Sequence, residues 1–414
     1  MTEPTREYTL VTSPRDGIVP VIVDATGLRD LVDQLDRTAP VAVDAERAQS
    51  YRYSARAYLI QLRQVGCGTH LIDPVALAGR QPLADLHELG DALVDSEWVL
   101  HAASQDLPCL AEVGLVPHHL FDTEMAGRLL NLPKVSLSPM LSQFLGIELA
   151  KEHSMDDWSR RPLLENSLAY AALDVDYLIE LRDAVAQALD QQGKLSWAEQ
   201  EFEDTLTRFA VPPVQDAEHW RGMKGMTHVR HPRQLAVAHS LWQVRDELAQ
   251  RLDINPGRIL SDTQLTDAVL VLAALAPGQV MATLPTIDGF GGNYAKRHRS
   301  LWASAIEDAL QMRACQLPKA HPSSETPPPR FWNQLKQTAA RRWEVARPAV
   351  ITIAKEHEVP VENLMTVATL ATLLWPDDLD MTEAGLRRAM TKAQVRSWQQ
   401  DLTAPTLASV LQDQ

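Results

Sequence analysis

The sequence changes pattern near residue 212, and this change constrains its fold more than any other feature. Before that point, short apolar runs typical of strands alternate with segments whose apolar residues recur every three or four positions. After Val211-Pro212-Pro213, only the helical periodicity remains. Alternating strands and helices predict a mixed sheet flanked by helices, and the rest of the chain is predicted to be all-α.

The predicted sheet starts with strands that follow one another in the sequence. Residues 57–62 and 69–72 are β-like runs on either side of Gly66-Cys67-Gly68, which predicts a hairpin. The apolar run Val41-Ala42-Val43 precedes this hairpin, and a further run at 98–101 follows it. We expect a sheet that is antiparallel on one side and parallel on the other.

Two acids, Asp44 and Glu46, directly follow the apolar run that begins at Val41. Residues two apart on a strand project from the same side, so both carboxylates should point together. Converging carboxylates repel each other unless a cation lies between them, which favours a hard ion such as Mg²⁺ or Mn²⁺. The alternative is a plain strand-end turn, because Asp-x-Glu is a common sequence.

Two later segments supply further acids. Asp106 lies in the first turn of the helix predicted after residues 98–101, where an acid can also serve only to complement the helix dipole. Tyr170 and Asp174 are four residues apart on one face of a long helix predicted from residue 164 to 191. They interrupt its apolar side, where a carboxylate needs a partner to offset its desolvation. The alternative is an ordinary solvated face.

Three motifs of this chain resemble those of the four-acid 3′-to-5′ exonucleases that carry a tyrosine, most closely the ribonuclease D family. They are, in order, Val-Asp44-Ala-Glu46, His101-Ala-Ala-Ser-Gln-Asp106 and Tyr170-x-x-x-Asp174. Residues 157–163, Asp-Trp-Ser-Arg-Arg-Pro-Leu, are also similar to that family. The resemblance spans about residues 20 to 200 and implies an α/β ribonuclease H-like exonuclease domain, with a mixed sheet flanked by helices.

The resemblance also implies the activity. It indicates a metal-dependent 3′-to-5′ exoribonuclease that acts on RNA with a free 3′ end, such as a tRNA precursor, and releases nucleoside 5′-monophosphates. Two divalent cations, Mg²⁺ or Mn²⁺, would be held by the carboxylates of Asp44, Glu46, Asp106 and Asp174. The catalytic residues would be Glu46 and Tyr170. A phenol is a poor base at neutral pH, so Tyr170 is expected to orient the attacking water.

Two other functions are compatible with the same residues. A 3′-to-5′ DNA exonuclease of the same superfamily would share every ligand, because contacts to a 2′-hydroxyl cannot be inferred from these motifs. A non-catalytic nucleic-acid-binding scaffold would keep the fold but would be expected to lose at least one acid, and all four are present.

The helical half contains a diverged repeat. Residues 252–260 align with residues 357–365, and the separation of 105 stays constant along the aligned stretch. Apolar, proline-containing and polar positions recur in nearly the same places. A duplicated helical module is the simplest interpretation.

These patterns predict four parts of the 414-residue chain. The exonuclease domain covers 1–215, and residues 216–316 resemble the helicase and ribonuclease D C-terminal (HRDC) module. A Pro-rich linker at 317–329 leads to a second, diverged HRDC-like module at 330–414. The fold class is therefore an α/β domain followed by two all-α modules.

The chain is acidic, with a formal net charge of −15, whereas proteins that neutralise phosphates usually present a basic surface. Local basic positions in the first helical module are therefore the candidates for contact with a nucleic-acid backbone. A solvated basic face is the alternative. The candidates are Lys224, Arg230, Lys296, Arg297 and Arg299.

Composition also bears on where the protein acts. The N-terminus lacks the cationic segment and apolar core of a signal peptide, and no apolar run in the helical half approaches the roughly 20 residues of a spanning helix. Cys67, Cys109 and Cys315 are far apart and form no disulfide or zinc pattern. We expect a cytoplasmic protein with no membrane association and no disulfide-linked partner.

Overall fold

The computed structural model describes residues 8–149, 156–211, 218–319 and 326–412. Within these ranges the strands all precede residue 150. They are β1 (Thr9–Val11), β2 (Val21–Ile22), β3 (Val41–Arg47), β4 (Ala57–Gln64), β5 (Gly68–Ile72), β6 (Glu97–Leu100), β7 (His119–Asp122) and β8 (Ile147–Leu149).

Six of the strands form one mixed sheet in the order β2-β5-β4-β3-β6-β7, and β1 pairs separately with β8. The β3, β4 and β5 strands are antiparallel neighbours, whereas β6 and β7 continue the sheet in parallel. The predicted hairpin and mixed sheet are confirmed. One feature was not expected: β2 pairs with β5 in parallel, at the edge of the sheet that is otherwise antiparallel. The β3 strand therefore lies inside the sheet, with neighbours on both sides.

Nine helices accompany the strands in the described part of residues 8–211. They are α1 (Ala25–Gln34), α2 (Pro74–Ala78), α3 (His87–Ala92), α4 (Leu107–Ala111), α5 (Thr123–Leu129), α6 (Leu137–Leu145), α7 (Glu165–Asp176), α8 (Leu178–Gln191) and α9 (Leu195–Phe209). We call this part the N-terminal domain.

The single long helix predicted over 164–191 is wrong, because the structure divides it into α7 and α8 at Tyr177. At this point the Arg15 backbone N–H donates to the Asp176 carboxylate, and the Arg15 guanidinium lies over the Tyr177 ring. The break allows α7 to pack across β3, β4 and β5 while α8 packs against α5 and α6. Apolar periodicity continues through the break and therefore could not reveal it.

Helices are the only regular secondary structure among the described residues beyond 211, as predicted. They are α10 (Pro232–Leu252), α11 (Pro256–Ile259), α12 (Asp262–Leu272), α13 (Val280–Thr283), α14 (Asn293–Arg297), α15 (Arg299–Gln311), α16 (Trp332–Leu335), α17 (Gln337–Glu356), α18 (Val361–Leu364), α19 (Val367–Leu374), α20 (Glu383–Lys392) and α21 (Ser397–Gln412), with short 3₁₀ turns between some of them. We call residues 218–319 the first helical module and residues 326–412 the second helical module.

Several corresponding helices of the two modules keep the separation of 105 residues found in the sequence. The bounds of α11 and α18 differ by 105 at both ends, and so do the first residues of α12 and α19. Ser261 and Thr366 cap the latter two helices with their side chains. Asp253 and Glu358 are also 105 residues apart, and both adopt a left-handed conformation, with φ of 47° and 50°. The succession from α10 to α12 is therefore repeated in α17 to α19.

The two modules differ in how they join the N-terminal domain. One hydrophobic core contains buried residues of both the N-terminal domain and the second helical module, whereas the first helical module has a core of its own. The predicted domain boundaries stay predictions. The proline linker residues 212–213, and residues 320–325 of the predicted 317–329 linker, lie outside the described residues.

Polar contacts reinforce the junction between α9 and the second helical module. The Glu201 carboxylate is buried and accepts hydrogen bonds from Arg396 Nε (2.8 Å), Arg396 Nη2 (2.9 Å) and Trp398 Nε1 (2.8 Å). The Trp398 ring also stacks on Trp197, with ring centroids 4.8 Å apart. A buried carboxylate with three donors is satisfied, and it fixes α21 against α9.

Over the described residues, no helix combines the length and apolarity needed to cross a membrane. Cys67, Cys109 and Cys315 are free thiols in the structure.

We predict that Glu201→Ala destabilises the whole protein by roughly 3–5 kcal/mol, because it leaves the Arg396 guanidinium and the Trp398 N–H without their shared acceptor in a largely buried site. Glu203→Ala, on the exposed face of the same helix, is the matched control and should change stability by less than about 0.5 kcal/mol. Urea unfolding followed by circular dichroism measures both. Equal midpoints for the two variants would contradict the role of this junction.

Candidate active site

The acids after the apolar run of β3 converge with an acid of α7. Asp44 and Glu46 alternate with buried Val43 and Ala45, so both project from one side of the sheet. Because α7 packs across β3, it brings Asp174 to the same place. One carboxylate oxygen from each of Asp44, Glu46 and Asp174 lies within 4.8 Å of the other two. The structure thus brings together three of the four predicted ligands in one compact group.

Tyr170 lies one helical turn before Asp174 on α7 and is partly buried. Its phenol contacts the Asp174 carboxylate. Burial, followed by the charges of Asp174 and Glu46, raises the pKa of the Tyr170 phenol. The phenol therefore remains protonated at neutral pH and is a hydrogen-bond donor at the edge of the acidic group.

Asp106 is also buried, but it does not belong to the compact group of three. It stands at the N-cap position of α4, where its side chain makes no capping hydrogen bond. The carboxylate instead contacts Asp44 and forms an ion pair with Arg47, with Nη2 to Oδ1 at 3.4 Å. The Asp106 side chain therefore neither caps α4 nor faces solvent, and it points toward Asp44 of the acidic group.

Asp122 positions the loop that leads to Asp106, and this role was missed by the sequence analysis. Its buried carboxylate accepts hydrogen bonds from the backbone N–H groups of Ala102, Ala103, Glu124 and Met125, at 2.9–3.2 Å. Ala102 has a φ of 62°, which is unfavourable for a residue with a Cβ atom. The hydrogen bonds to Asp122 hold this conformation, and the chain then turns into α4.

Two further residues near the acids were also missed. Gln61 is fully buried opposite Asp44 on β4, and its amide nitrogen, when turned toward Asp44, is 2.8 Å from the carbonyl oxygen and 3.2 Å from Oδ2. A glutamine within an apolar strand could have indicated a buried polar contact at this position. Arg47 should face away from Glu46 by strand alternation, but a register shift between the two redirects it toward Asp106. No periodic pattern predicts such a shift.

Burial and mutual repulsion raise the pKa values of the acids. The pKa of Glu46 is raised to about 9, first by burial and then by the charges of Asp44, Asp174 and Asp106. Burial is also the main cause that raises the pKa of Asp44, Asp106 and Asp174. A divalent cation bound between the carboxylates would offset both the desolvation of their charged forms and the repulsion between them.

The donor set fits a hard cation. All the nearby ligands are carboxylate oxygens, and two ligands of one Mg²⁺ or Ca²⁺ ion are separated by at most about 4–5 Å, given metal–oxygen distances of about 2.0–2.6 Å. The 4.8 Å limit within the group of Asp44, Glu46 and Asp174 meets this condition. His101 is not aimed at the acids, since its Nδ1 lies 2.8 Å from Thr123 Oγ1.

A cavity of about 200 Å³ opens beside Glu46. It is lined by the end of β3, the residues that follow it and Asp156. The lining includes Arg47, Gln49, Ser50 and Tyr51. Glu46 is the member of the acidic group that lines it.

The basic candidates lie in the first helical module, away from the acids in sequence. Lys224, Arg230, Lys296 and Arg297 are exposed and Arg299 is partly exposed. Within the part of the chain that the structure describes, none of the five forms an ion pair with an acid. By contrast, Arg233 of the same module donates to the carbonyl oxygens of Ala309 and Met312 and so has a structural role.

Family models match three parts of the chain. Residues 19–190 match a model described as 3′-5′ exonuclease, and residues 234–306 match the HRDC domain. Residues 325–411 match a model described as 3′ to 5′ exonuclease C-terminal domain. The second helical module thus matches a model of its own rather than a second copy of the HRDC model.

Individual proteins are similar over most of the chain. Ribonuclease D of Zymomonas mobilis is 31% identical over 73% of this chain and 75% of its own length. A crystal structure of a protein from Bifidobacterium adolescentis is 32% identical, with a TM-score of 0.84 over 98% of this chain and 100% of that one. The Escherichia coli RNase D structure has a TM-score of 0.69 at 22% identity, covering 95% of this chain and 98% of that one, and shows a shared fold.

We predict that binding of Mg²⁺ or Mn²⁺ releases protons and strengthens as the pH rises toward about 9. A carboxyl whose pKa is raised, such as Glu46 at about 9, holds its proton at neutral pH and must lose it to become a ligand. Affinity is therefore lost as the pH falls below that value. Titration calorimetry with Mn²⁺ in two buffers of different ionisation enthalpy measures the released protons. Equal apparent enthalpies in both buffers at pH 7 would contradict the prediction.

Proposed function

Because the chain belongs to the ribonuclease D family, it is a 3′-to-5′ exoribonuclease that acts in RNA processing, and we propose that it removes nucleotides one at a time from a free RNA 3′ end. The products are nucleoside 5′-monophosphates. The observation that carries this proposal is the convergence of three carboxylates beside an open cavity, with a protonated phenol at their edge.

The proposal includes two divalent cations, Mg²⁺ or Mn²⁺. Asp44, Glu46 and Asp174 would hold one, and Asp106 together with Asp44 would hold the other. Bound ions of this kind lower the pKa of a water molecule and stabilise the charge on a leaving oxygen. The all-carboxylate donors and their raised pKa values support this assignment.

Tyr170 and Glu46 act on the attacking water in this proposal. The Tyr170 hydroxyl donates a hydrogen bond and fixes the direction of the water, because a phenol whose pKa is raised does not remove a proton at neutral pH. Glu46 lines the cavity and belongs to the acidic group at the same time. It is therefore the carboxylate best placed to meet both the water and the terminal nucleotide.

We propose a structured RNA with a 3′ tail, such as a tRNA precursor, as the substrate. The E. coli relative is described as an exoribonuclease involved in structured RNA processing. The exposed positions Lys224, Arg230, Lys296 and Arg297, with Arg299, would contact the RNA backbone, since they have no acidic partner among the described residues. Their charge would offset the acidic character of the whole chain locally.

Asp106→Asn tests the proposed reaction. The variant keeps the side-chain volume but removes a charge that one ion needs, so turnover of a 3′-tailed RNA should fall roughly 10²- to 10³-fold or more, while RNA affinity changes little. Asp91→Asn, at an exposed position of α3, is the matched control. Release of mononucleotides from end-labelled RNA, with Mg²⁺ and with chelator, measures the effect. Near-normal turnover in Asp106→Asn, or full wild-type activity in excess chelator, would refute the proposed site.

Tyr170→Phe tests the orienting hydroxyl. We expect the single-turnover rate at saturating Mg²⁺ to fall roughly 10²-fold, while metal affinity is retained. Tyr177→Phe removes a hydroxyl at the end of the same helix and should leave the rate within about twofold. If Tyr170 served only to pack on the sheet, Phe would replace it at little cost and both rates would be equal.

The salt dependence of RNA binding tests the basic candidates. For single-stranded nucleic acid, each neutralised phosphate contributes about 0.7 to the slope of log affinity against log salt concentration. The double variant Lys296→Gln, Arg297→Gln should therefore flatten this slope by about 1.4. Arg251→Gln, an exposed residue of the same module, is the control. An unchanged slope in the double variant would remove these two residues from the RNA contact.

A further inference from the structure

The loop that follows β3 lines the cavity beside Glu46, and a turn of the first helical module holds it in place. We call residues 48–54 the rim loop and residues 253–258 the holding turn. Three consecutive carbonyl oxygens of the rim loop accept hydrogen bonds from the holding turn. Asn255 Nδ2 donates to Gln49 (2.6 Å), Arg258 Nε to Ser50 (2.8 Å) and the Asn255 backbone N–H to Tyr51 (3.1 Å).

Further contacts hold the other end of the rim loop. The backbone N–H of Ser54 donates to Asp253 Oδ1 at 3.1 Å, and the Tyr53 hydroxyl donates to Asp246 Oδ2 at 3.0 Å. The Arg258 guanidinium also lies over the Tyr51 ring, 4.3 Å from its centroid. Residues far away in sequence thus hold both ends of the rim loop, and one of them also packs on the Tyr51 ring.

The holding turn is rigid by its own construction. Asp253 ends α10 in a left-handed conformation, with a φ of 47°. Asn255 then caps α11, because its Oδ1 accepts the backbone N–H of Gly257 at 2.8 Å. The two ends of one amide therefore have different tasks. The oxygen caps a helix of the module, and the nitrogen holds Gln49.

The second helical module docks through the corresponding turn, but against a different part of the N-terminal domain. The carbonyl oxygen of Glu358, 105 residues after Asp253, accepts a hydrogen bond from buried Lys194 at 3.0 Å. Asn363, 105 residues after Arg258, contacts Met125 Sδ at 3.4 Å. The repeat thus provides two docking turns, and of these only 253–258 contacts the rim loop within the described residues.

We propose that Asn255 and Arg258 are positioning residues for the exoribonuclease, and that the first helical module forms part of the support of the active site. They fix the rim loop so that Arg47, Tyr51 and the main chain between them form one wall of the place where the terminal nucleotides bind. This inference rests on the proposed function of the cavity. It assigns the module a role beyond contact with the RNA backbone.

The proposal predicts an effect on substrates confined to the cavity. A dinucleotide lies against the rim loop whether or not the basic positions of the module are engaged. Loosening the loop adds an ordering cost to binding, so the KM for a dinucleotide should rise roughly tenfold, with kcat changed by less than about twofold. A loss of module stability alone would instead reduce the active fraction and lower kcat at an unchanged KM.

Asn255→Asp in the full chain separates the two tasks of the amide. The carboxylate still caps α11, but it faces the Gln49 carbonyl with an acceptor in place of a donor. Arg258→Gln removes the guanidinium while leaving the Asn255 cap intact. If Asn255→Asp unfolds the module, this variant still tests whether the holding turn positions the rim loop. Arg251→Gln is the exposed control from the same module. Two readouts are needed, dinucleotide kinetics with Mg²⁺ and hydrogen exchange followed by mass spectrometry.

Faster amide exchange in residues 48–54, with unchanged exchange in 262–306 and a raised dinucleotide KM, would support the proposal. Unchanged exchange in 48–54 together with an unchanged KM in both variants would overturn it. Failure of the proposed function has a different result, because the wild-type protein would then not hydrolyse RNA. In that case exchange at 48–54 still decides whether the turn holds the loop, and a wild-type rate of exchange in both variants would refute the holding role.

Discussion

Mutual repulsion among partly buried carboxylates is the constraint on which the proposed active site depends. Asp44, Glu46 and Asp174 raise the cost of one another's ionised forms, and burial adds to it. They stay together because β3 is paired on both sides within the sheet and α7 is packed across it. The apolar core thus supplies the free energy that holds the acids in place. Any cation that binds them returns part of that free energy, so metal binding and stability are linked.

Features that depend on local sequence could be predicted, and features that depend on distant contacts could not. The period of two along β3 was enough to place Asp44 and Glu46 on one side, and the glycines between the runs of β4 and β5 indicated the hairpin. Arg47 was missed because a register shift reverses its direction. The break at Tyr177 was missed because it depends on Arg15, more than 160 residues earlier. Apolar periodicity carries no information about either contact.

The repeat shows how one backbone motif can serve two purposes. Asp253 and Glu358 share a left-handed conformation at equivalent positions, so the turns have the same form. Their partners differ, because the first turn meets the rim loop and the second meets Lys194. The second module has also merged its core with that of the N-terminal domain. Sequence boundaries drawn from the repeat therefore separate units that share a hydrophobic core and the buried Glu201 junction.

The acids and the rim loop are held by different means, and this difference has a consequence for specificity. Each acid lies on or beside a strand or helix, whereas the rim loop has no regular structure and depends on the first helical module for its position. The holding turn contacts main-chain carbonyl oxygens at Gln49, Ser50 and Tyr51, so the loop's path does not depend on the side chains of Gln49 and Ser50. The side chains of Gln49 and Ser50 can therefore be substituted to suit a different RNA, while the wall of the cavity stays where the acids require it.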